Sequence, residues 1–298
     1  MSQVQRLQGL LFCATAVVLA AANEVAGRPD PQTELLTMAV LIGILGVPHG
    51  MLDTVFARHL YNVRTVTEWA GFTLAYFIPA ALVVVLWQFA PQLFLAGFLV
   101  ISAGHFAGDP SAGTPALSRL VYGGAIIVLP TICYAPEVTR LFSFLVGPDA
   151  AIQTVASLNF VKWPWLAGLL LAAALRLKDD WCGGLEMAAL GLLATLAPPL
   201  AAFTAYFCIM HSARHILRTI DYFDRMSARR MLLATAPPLL VTVILAIAAW
   251  NFSDGVAIDI RVVQLVFVGL AALTVPHMMV VERIRLAGWI RRTSVKPE

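Results

Sequence analysis

The sequence has very few charged residues for its length. Only 12% of its 298 residues are Asp, Glu, Lys or Arg, whereas an average soluble domain has roughly 25%. A water-soluble domain of this size could not cover its surface with so few charged residues. A disordered chain or a coiled coil also needs a larger fraction of charged residues. Because 60% of the residues are hydrophobic and the mean hydropathy is +0.82, the class that remains is a polytopic membrane protein.

Cysteine is also scarce, and no two cysteines form a CxxC motif. The four are Cys13, Cys133, Cys182 and Cys208. Their scattered positions indicate neither a disulfide framework nor a thiolate metal site. The net charge of +3 is too small to indicate a nucleic-acid partner.

Long apolar stretches are what the sequence does contain. A helix needs about 20 apolar residues to cross a bilayer core of about 30 Å. Such stretches predict an all-α bundle of about ten membrane helices, in one integral-membrane domain over residues 1–298. The predicted spans are 7–26, 33–57, 67–89, 92–108, 116–135, 152–176, 183–197, 199–220, 231–250 and 260–285. Only Pro198 and Pro199 separate the seventh from the eighth, and a count of eight spans stays open.

The N-terminus has the outline of a signal peptide, with Arg6 before an apolar run over 10–22. Because the chain begins at Met1 and contains this run, we expect a first membrane helix instead. Counting ten spans from a cytoplasmic N-terminus places 16 of the 20 basic residues inside. This bias predicts that both termini are cytoplasmic, in a bacterial-type inner membrane.

Five of the six histidines lie within or at the ends of apolar stretches, where ionisable side chains are costly and usually mark function. They are His49, His105, His211, His215 and His277. All five fall late in even-numbered spans, which run from outside to inside in this topology. They are therefore expected at similar depth near the cytoplasmic side, where the bundle can bring four or five imidazoles to one point.

Spacing and backbone chemistry single out some of these histidines. His211 and His215 are four residues apart and share one helical face, so their nitrogens can reach one metal at about 2.0–2.1 Å. His49 and His277 are each the last residue of a Val-Pro-His tripeptide. Proline bends a helix, and irregular backbone at membrane depth survives only where protein or a cavity surrounds it. The alternative for each tripeptide is a plain kink beside a packed histidine.

Two aspartates follow histidines at helical spacing. Asp53 lies four residues after His49, and Asp109 lies four after His105. Each carboxylate could accept the second N–H of a metal-bound imidazole, or could cap a helix end and meet interfacial water. Both readings stay open for Asp53, whereas the glycine and proline beside Asp109 favour a helix end there.

These observations predict a metal centre held by imidazoles. The expected ligands are His49, His105, His211 and His215. Imidazole suits zinc, iron, copper or nickel, but a structural zinc site usually includes cysteine. Open positions on a four-histidine site fit a redox metal that binds dioxygen. His277 is expected near the metal without binding it, because four imidazoles fill most of the coordination shell. Tyr206, Phe207 and Phe106 are predicted to line a substrate tunnel.

Four motifs resemble, in order, those of the Brp/Blh-type β-carotene 15,15′-dioxygenase family. GVPHGMLD at 46–53 resembles the family's G-x-P-H-G-x-x-D motif, and SAGHF at 102–106 with Asp109 resembles its second histidine motif. HSARH at 211–215 resembles its H-S-x-R-H segment, and Pro276-His277 resembles a later proline-histidine pair. The resemblance covers about residues 40–283. Thr54 stands where many members have histidine, and 110–200 contains no motif that matches.

The resemblance implies an integral-membrane enzyme that contains Fe(2+) and uses O2. Such enzymes split the central double bond of β-carotene into two molecules of all-trans-retinal. It also implies iron ligands at His49, His105, His211 and His215, a carotenoid that enters from the bilayer, and a rhodopsin-type protein as a candidate acceptor of retinal. A related carotenoid or apocarotenoid as substrate stays open.

Three other functions are each compatible with some of these residues. A bis-histidine haem electron carrier would suit buried histidines on separate spans, but four in one leaflet fit a single site better. A metal or proton transporter needs polar groups along a path to both sides, and the outer halves of these spans are nearly free of charge. A di-iron hydroxylase or desaturase needs about eight histidines, and this chain has six.

Overall fold

The computed structural model describes residues 2–25, 27, 30–223 and 227–281, which form helices and connecting turns with no strand among them. The all-α class is thereby confirmed. The helices in chain order are α1 (Gln3–Val25), α2 (Pro31–Leu41), α3 (Asp53–Leu60), α4 (Val66–Phe89), α5 (Pro91–Phe106), α6 (Ala116–Val128), α7 (Thr131–Val146), α8 (Pro148–Asp179), α9 (Trp181–Leu196), α10 (Pro199–Ala205), α11 (Ala213–Tyr222), α12 (Ala228–Phe252) and α13 (Ile258–Val281).

Local sequence signals explain where several helices begin. Proline opens α2, α5, α8 and α10, because its fixed φ suits the first turn and its missing N–H has no helical partner there. The Asp30 side chain caps α2 by accepting from two backbone N–H groups. Thr65 and Glu68 form a reciprocal capping box at the start of α4.

Six helical stretches among the described residues are long and apolar enough to span a bilayer, or seven when the pair α6 and α7, bent by 61°, counts as one. The polytopic bundle is confirmed, with fewer full-length spans than the ten predicted. Helices α5 and α9 have 16 residues each, or about 24 Å at 1.5 Å per residue. The predicted span 116–135 bends after α6, and the predicted span 199–220 is divided between α10, α11 and the segment that joins them.

The outermost and innermost helices differ in what they bury. The apolar stretches of α4 and α12 have no buried residues, and large side chains such as Leu82 and Leu240 are each 61% exposed. Apolar surface of this extent fits contact with lipid. In contrast, α9 packs between α1, α6 and α8, and buries most of its side chains.

The membrane orientation stays a prediction. Several basic residues in that argument lie outside the described part of the chain, as does the end of the predicted span 260–285. These residues are Arg28, Arg225, Arg283, Arg285, Arg291, Arg292 and Lys296.

Candidate metal centre

Five imidazoles from separate parts of the chain meet inside the bundle, and we call them the five-histidine cluster. They are His49, His105, His211, His215 and His277. The ring centroid of His49 lies 5.1 Å from that of His211, 5.5 Å from that of His215 and 5.2 Å from that of His277. The His105 ring lies 4.6 Å from that of His211 and 5.2 Å from that of His277.

Irregular helix geometry brings two of these histidines to the cluster. A π-helical segment, Ile42–Gly46, and a 3-10 segment, Val47–Leu52, connect α2 to α3, and His49 lies in the second. Another π-helical segment, Tyr206–Ser212, connects α10 to α11 and carries His211. Single-turn π-helical segments inside helices occur often at functional sites.

Gly46 permits close packing between these two irregular segments. A Cβ atom at this position would lie 2.5 Å from Cε1 of Phe207, closer than real Cβ contacts allow. The Phe207 ring stacks on that of His211 with centroids 5.5 Å apart, and on that of Phe203 at the same distance. Gly46, the first glycine of the GVPHG sequence, therefore allows His49 and His211 to face each other.

Asp109 is hydrogen-bonded to His211. The Nδ1 atom of His211 lies 3.0 and 3.1 Å from the two carboxylate oxygens of Asp109, and the Tyr206 hydroxyl donates to Oδ2 at 2.6 Å. All three side chains are buried. Asp109 follows α5 where the helix ends, as expected, but its partner is His211 and not the helix terminus or His105.

Asp53 forms a second arrangement of the same kind, around His277. The Nδ1 atom of His277 lies 2.9 and 3.0 Å from the Asp53 carboxylate oxygens, and the Tyr76 hydroxyl donates to Oδ2 at 3.0 Å. Of the two readings left open for Asp53, a carboxylate behind His49 or a helix cap, the first named the wrong imidazole, because the structure places this carboxylate at His277. His49 Nδ1 instead faces the Gly46 carbonyl oxygen and lies 3.1 Å from the Ser212 hydroxyl.

These contacts decide which ring nitrogens are free. An oxygen that only accepts, such as a carboxylate or carbonyl oxygen, requires Nδ1 to carry the proton in a neutral ring, so Nε2 keeps its lone pair. The Nε2 atoms of His211, His215 and His277 are buried and have no hydrogen-bond partner among the described residues. Buried nitrogens of this kind are costly without a partner, and they are the donor atoms that a metal ion needs.

The nitrogens also converge. One ligand atom each from His49, His105 and His277 lies within 4.8 Å of the others, a set close enough to share an ion. The donor chemistry is imidazole alone, with the two aspartates behind the rings. The residues present therefore fit a first-row transition metal such as iron.

Two arginines, Arg119 and Arg218, hold the loop that carries Asp109. Arg218 donates to the carbonyl oxygens of Gly108, Asp109 and Pro110. From the other side, Arg119, which is 1% exposed, donates to the carbonyl oxygens of residues 107, 110, 111 and 114. The position of the Asp109 carboxylate beside His211 thus rests on side chains from α6 and α11.

Arg214, within the HSARH sequence, forms a buried ion pair. Its two terminal nitrogens lie 2.7 and 2.6 Å from the carboxylate oxygens of Glu186 on α9, and its Nε donates to Gln8 on α1. This contact joins α1 and α9 to α11 at the residue that precedes His215. Residue spacing could not identify this pairing, because Gln8, Glu186 and Arg214 lie far apart along the chain.

An apolar pocket opens onto the cluster. It is lined by His49, His105 and His277 together with Phe98, Phe106 and Phe207, among other side chains. Its free volume is about 30 Å³, room for one or two water molecules. Of the three residues predicted to line a tunnel, Phe106 and Phe207 line this pocket, whereas Tyr206 is fully buried behind His211.

The structure brings together all four histidines predicted as metal ligands. The His277 ring lies as close to three of them as they lie to one another. Tyr76 is a residue of the site that sequence reasoning missed. It lies on α4, 23 residues from Asp53, and no spacing rule connects the two. The buried glutamate of α9, Glu186, was a detectable signal, because a lone acid inside an apolar stretch needs a buried partner.

Comparison with known proteins gives a consistent result. The model of the family described as "Beta-carotene 15,15'-dioxygenase" matches residues 40–285. A protein of uncultured marine bacterium 66A03, named "Beta-carotene 15,15'-dioxygenase", is 30% identical over 258 residues, with 82% of this chain and 91% of that protein covered. No solved structure matches the chain. The region matched by the family contains the whole five-histidine cluster and both aspartates.

Proposed function

This chain belongs to the β-carotene 15,15′-dioxygenase family, and we propose that it cleaves the central double bond of β-carotene, or of a closely related carotenoid, with O2. One carbon–carbon double bond breaks, and each of its two carbons gains one oxygen atom of O2. The products are two molecules of retinal. The observation that carries the proposal is the five-histidine cluster at the end of an aromatic pocket in a protein of this family.

We propose Fe(2+) as the metal, held by His49, His105, His211 and His215. When bound, iron supplies the activation of dioxygen that a closed-shell side chain does not. The buried, unpartnered Nε2 atoms of His211 and His215 support this assignment. Asp109 fixes the His211 ring with its Nε2 lone pair directed away from the carboxylate, as carboxylates behind metal-bound imidazoles commonly do.

The pocket side chains are expected to hold and orient the polyene. Phe98, Phe106, Phe203 and Phe207 offer apolar ring surfaces beside the imidazoles, and such surfaces suit a conjugated hydrocarbon. They also exclude water from the site. The free volume is far smaller than a carotenoid, so entry of the substrate requires these rings to separate. No side-chain acid or base takes part in the proposed reaction.

We further propose that the substrate enters from the lipid bilayer of a bacterial-type inner membrane. The exposed apolar surfaces of α4 and α12 support a membrane location, and β-carotene itself partitions into lipid. Transfer of retinal to a rhodopsin-type protein stays a prediction. The single integral-membrane catalytic domain over residues 1–298 is likewise a proposal.

The experiment is expression of the chain in cells that accumulate β-carotene, followed by chromatography of the extracted pigments. Wild-type protein should bleach the cells and yield retinal, and the His105→Ala variant at matched expression should do neither. The conservative exposed variant Asp179→Asn serves as a control and should behave as wild type. Unchanged β-carotene in cells that contain folded, iron-loaded wild-type protein would overturn the proposal.

A further inference from the structure

Two sets of three side chains at the cluster have the same chemistry. In one, Tyr206 donates to Asp109, which binds Nδ1 of His211. In the other, Tyr76 donates to Asp53, which binds Nδ1 of His277. The two histidines are each 2% exposed, and the Nε2 atom of each is buried without a hydrogen-bond partner among the described residues. A histidine that only packed against the site would not need this arrangement.

The position of His277 is as informative as its hydrogen bonds. Its ring centroid lies within 5.2 Å of those of His49, His105 and His215. It also belongs, with His49 and His105, to the set whose ligand atoms lie within 4.8 Å of one another. His277 is therefore one of the histidines whose ligand atoms converge.

We infer that His277 is itself a metal ligand, and that Asp53 and Tyr76 are its positioning residues. This inference rests on the proposed function. The sequence alone predicts His277 beside the metal and not bound to it, on the ground that a fifth imidazole would crowd the coordination shell. A six-coordinate ion held by five imidazoles would still keep one position for dioxygen, and the pocket lined by His49, His105 and His277 opens onto the cluster.

The local backbone explains how α13 delivers this ring. Pro276 precedes His277 inside the helix, and proline removes a helical hydrogen bond and bends the axis. The Asp53 carboxylate comes from the first turn of α3, so the contact between His277 and Asp53 joins α13 to α3. Both the ligand and its positioning residue thus lie on rigid elements, as a preorganised metal site requires.

The test compares metal binding in purified His277→Ala, His277→Gln and Asp53→Asn with that of wild type. His59→Ala is the matched control, because His59 is exposed and its ring stacks on Phe223, outside the cluster. Iron per chain is measured by elemental analysis after equilibration against graded EDTA. The visible absorption of the Co(2+)-substituted proteins is recorded in parallel, since it strengthens when a ligand is lost.

We expect Asp53→Asn to weaken iron binding roughly 10–100-fold, with both His277 variants weaker still and their cobalt absorption stronger than that of wild type. His59→Ala should match wild type in both measurements. Wild-type iron affinity and an unchanged cobalt spectrum in folded His277→Ala or His277→Gln would overturn the inference. If neither His277 variant folds, Asp53→Asn decides, and wild-type affinity in it would overturn the inference.

The same measurements separate this inference from the proposed function. If the wild-type protein and the His277 variants all retain iron equally, the four-histidine centre stands and only His277 is removed from the ligand set. Wild-type protein that binds no iron under any loading condition would overturn both.

Discussion

Replacing Asp109 with asparagine should loosen the metal centre without removing a ligand. The Asp109 carboxylate accepts from His211 Nδ1 and, at 2.6 Å, from the Tyr206 hydroxyl. Asparagine offers one acceptor oxygen in place of two and turns an N–H donor toward one of these partners. One of the two buried hydrogen bonds is therefore lost, along with the negative charge that stabilises the imidazole as a ligand.

The size of the effect follows from this geometry. Loss of a carboxylate behind a metal-bound imidazole costs about 10–100-fold in metal affinity, or about 1.4–2.8 kcal/mol at 1.4 kcal/mol per tenfold change. Tyr206→Phe removes the bond to Oδ2 and leaves the contact with His211 intact, so its effect on iron affinity should be below tenfold. The prediction therefore includes a ranking: Asp109→Asn should lower iron affinity more than Tyr206→Phe does.

The assay is iron content after equilibration of the detergent-purified proteins against graded EDTA. Asp179→Asn, the same change at an exposed aspartate, controls for loss of charge. The thermal unfolding midpoint of each variant reports whether the fold is retained. Iron affinity in folded Asp109→Asn equal to that of wild type would refute the assignment of His211 as a ligand held by this carboxylate.

Three further predictions concern packing, a buried ion pair and the substrate pocket. Gly46→Ala should lower the free energy of unfolding by about 1–3 kcal/mol, because the new Cβ would meet Phe207; denaturation in detergent measures this, and unchanged stability would contradict the close packing. Glu186→Gln should lower the free energy of unfolding by about 3–5 kcal/mol, because it leaves Arg214 buried without its anion. Asp254→Asn, at a side chain that is 83% exposed, should lower it by less than about 1 kcal/mol. Equal losses of stability in the same denaturation experiment would count against a buried pair. Phe98→Ala should lower kcat/KM for β-carotene roughly tenfold to hundredfold by misplacing the polyene while iron content is kept, and steady-state kinetics with unchanged kcat/KM would remove Phe98 from the substrate pocket.

The sequence predicted the part of the site that depends on local pattern. His211 and His215 are close in the chain, and the apolar stretches placed His49, His105 and His277 at a common depth. Burial at membrane depth is a strong signal, because a lone imidazole there is costly unless it binds something. The same reasoning also holds for Glu186, and it predicts that this buried acid has a buried partner.

The contacts between helices were not predictable in this way. Asp53 shares a helical spacing with His49, but the break from 3-10 segment to α3 turns its carboxylate toward His277. Asp109 likewise turns to His211 because Arg119 and Arg218 hold its loop by backbone carbonyl groups. Helix register and crossing geometry decide such pairings, and neither can be derived from spacing within one segment.

The number of spans shows a related difficulty. Hydropathy marks apolar stretches but does not reveal where a π-helical segment or a bend divides them. The predicted span 199–220 contains the π-helical segment Tyr206–Ser212, and the predicted span 116–135 contains the 61° bend between α6 and α7. Both irregularities lie in helices that carry or support the cluster, and functional sites are where departures from regular local geometry are expected.

The most direct measurement of the central claim is a product balance with purified, iron-loaded protein, β-carotene and ¹⁸O-labelled dioxygen. The account predicts two molecules of retinal for each β-carotene consumed, with both aldehyde oxygens carrying the label when they are trapped before exchange with water. Two aldehydes of unequal length, or β-carotene that persists in the presence of iron-loaded protein and oxygen, would contradict it.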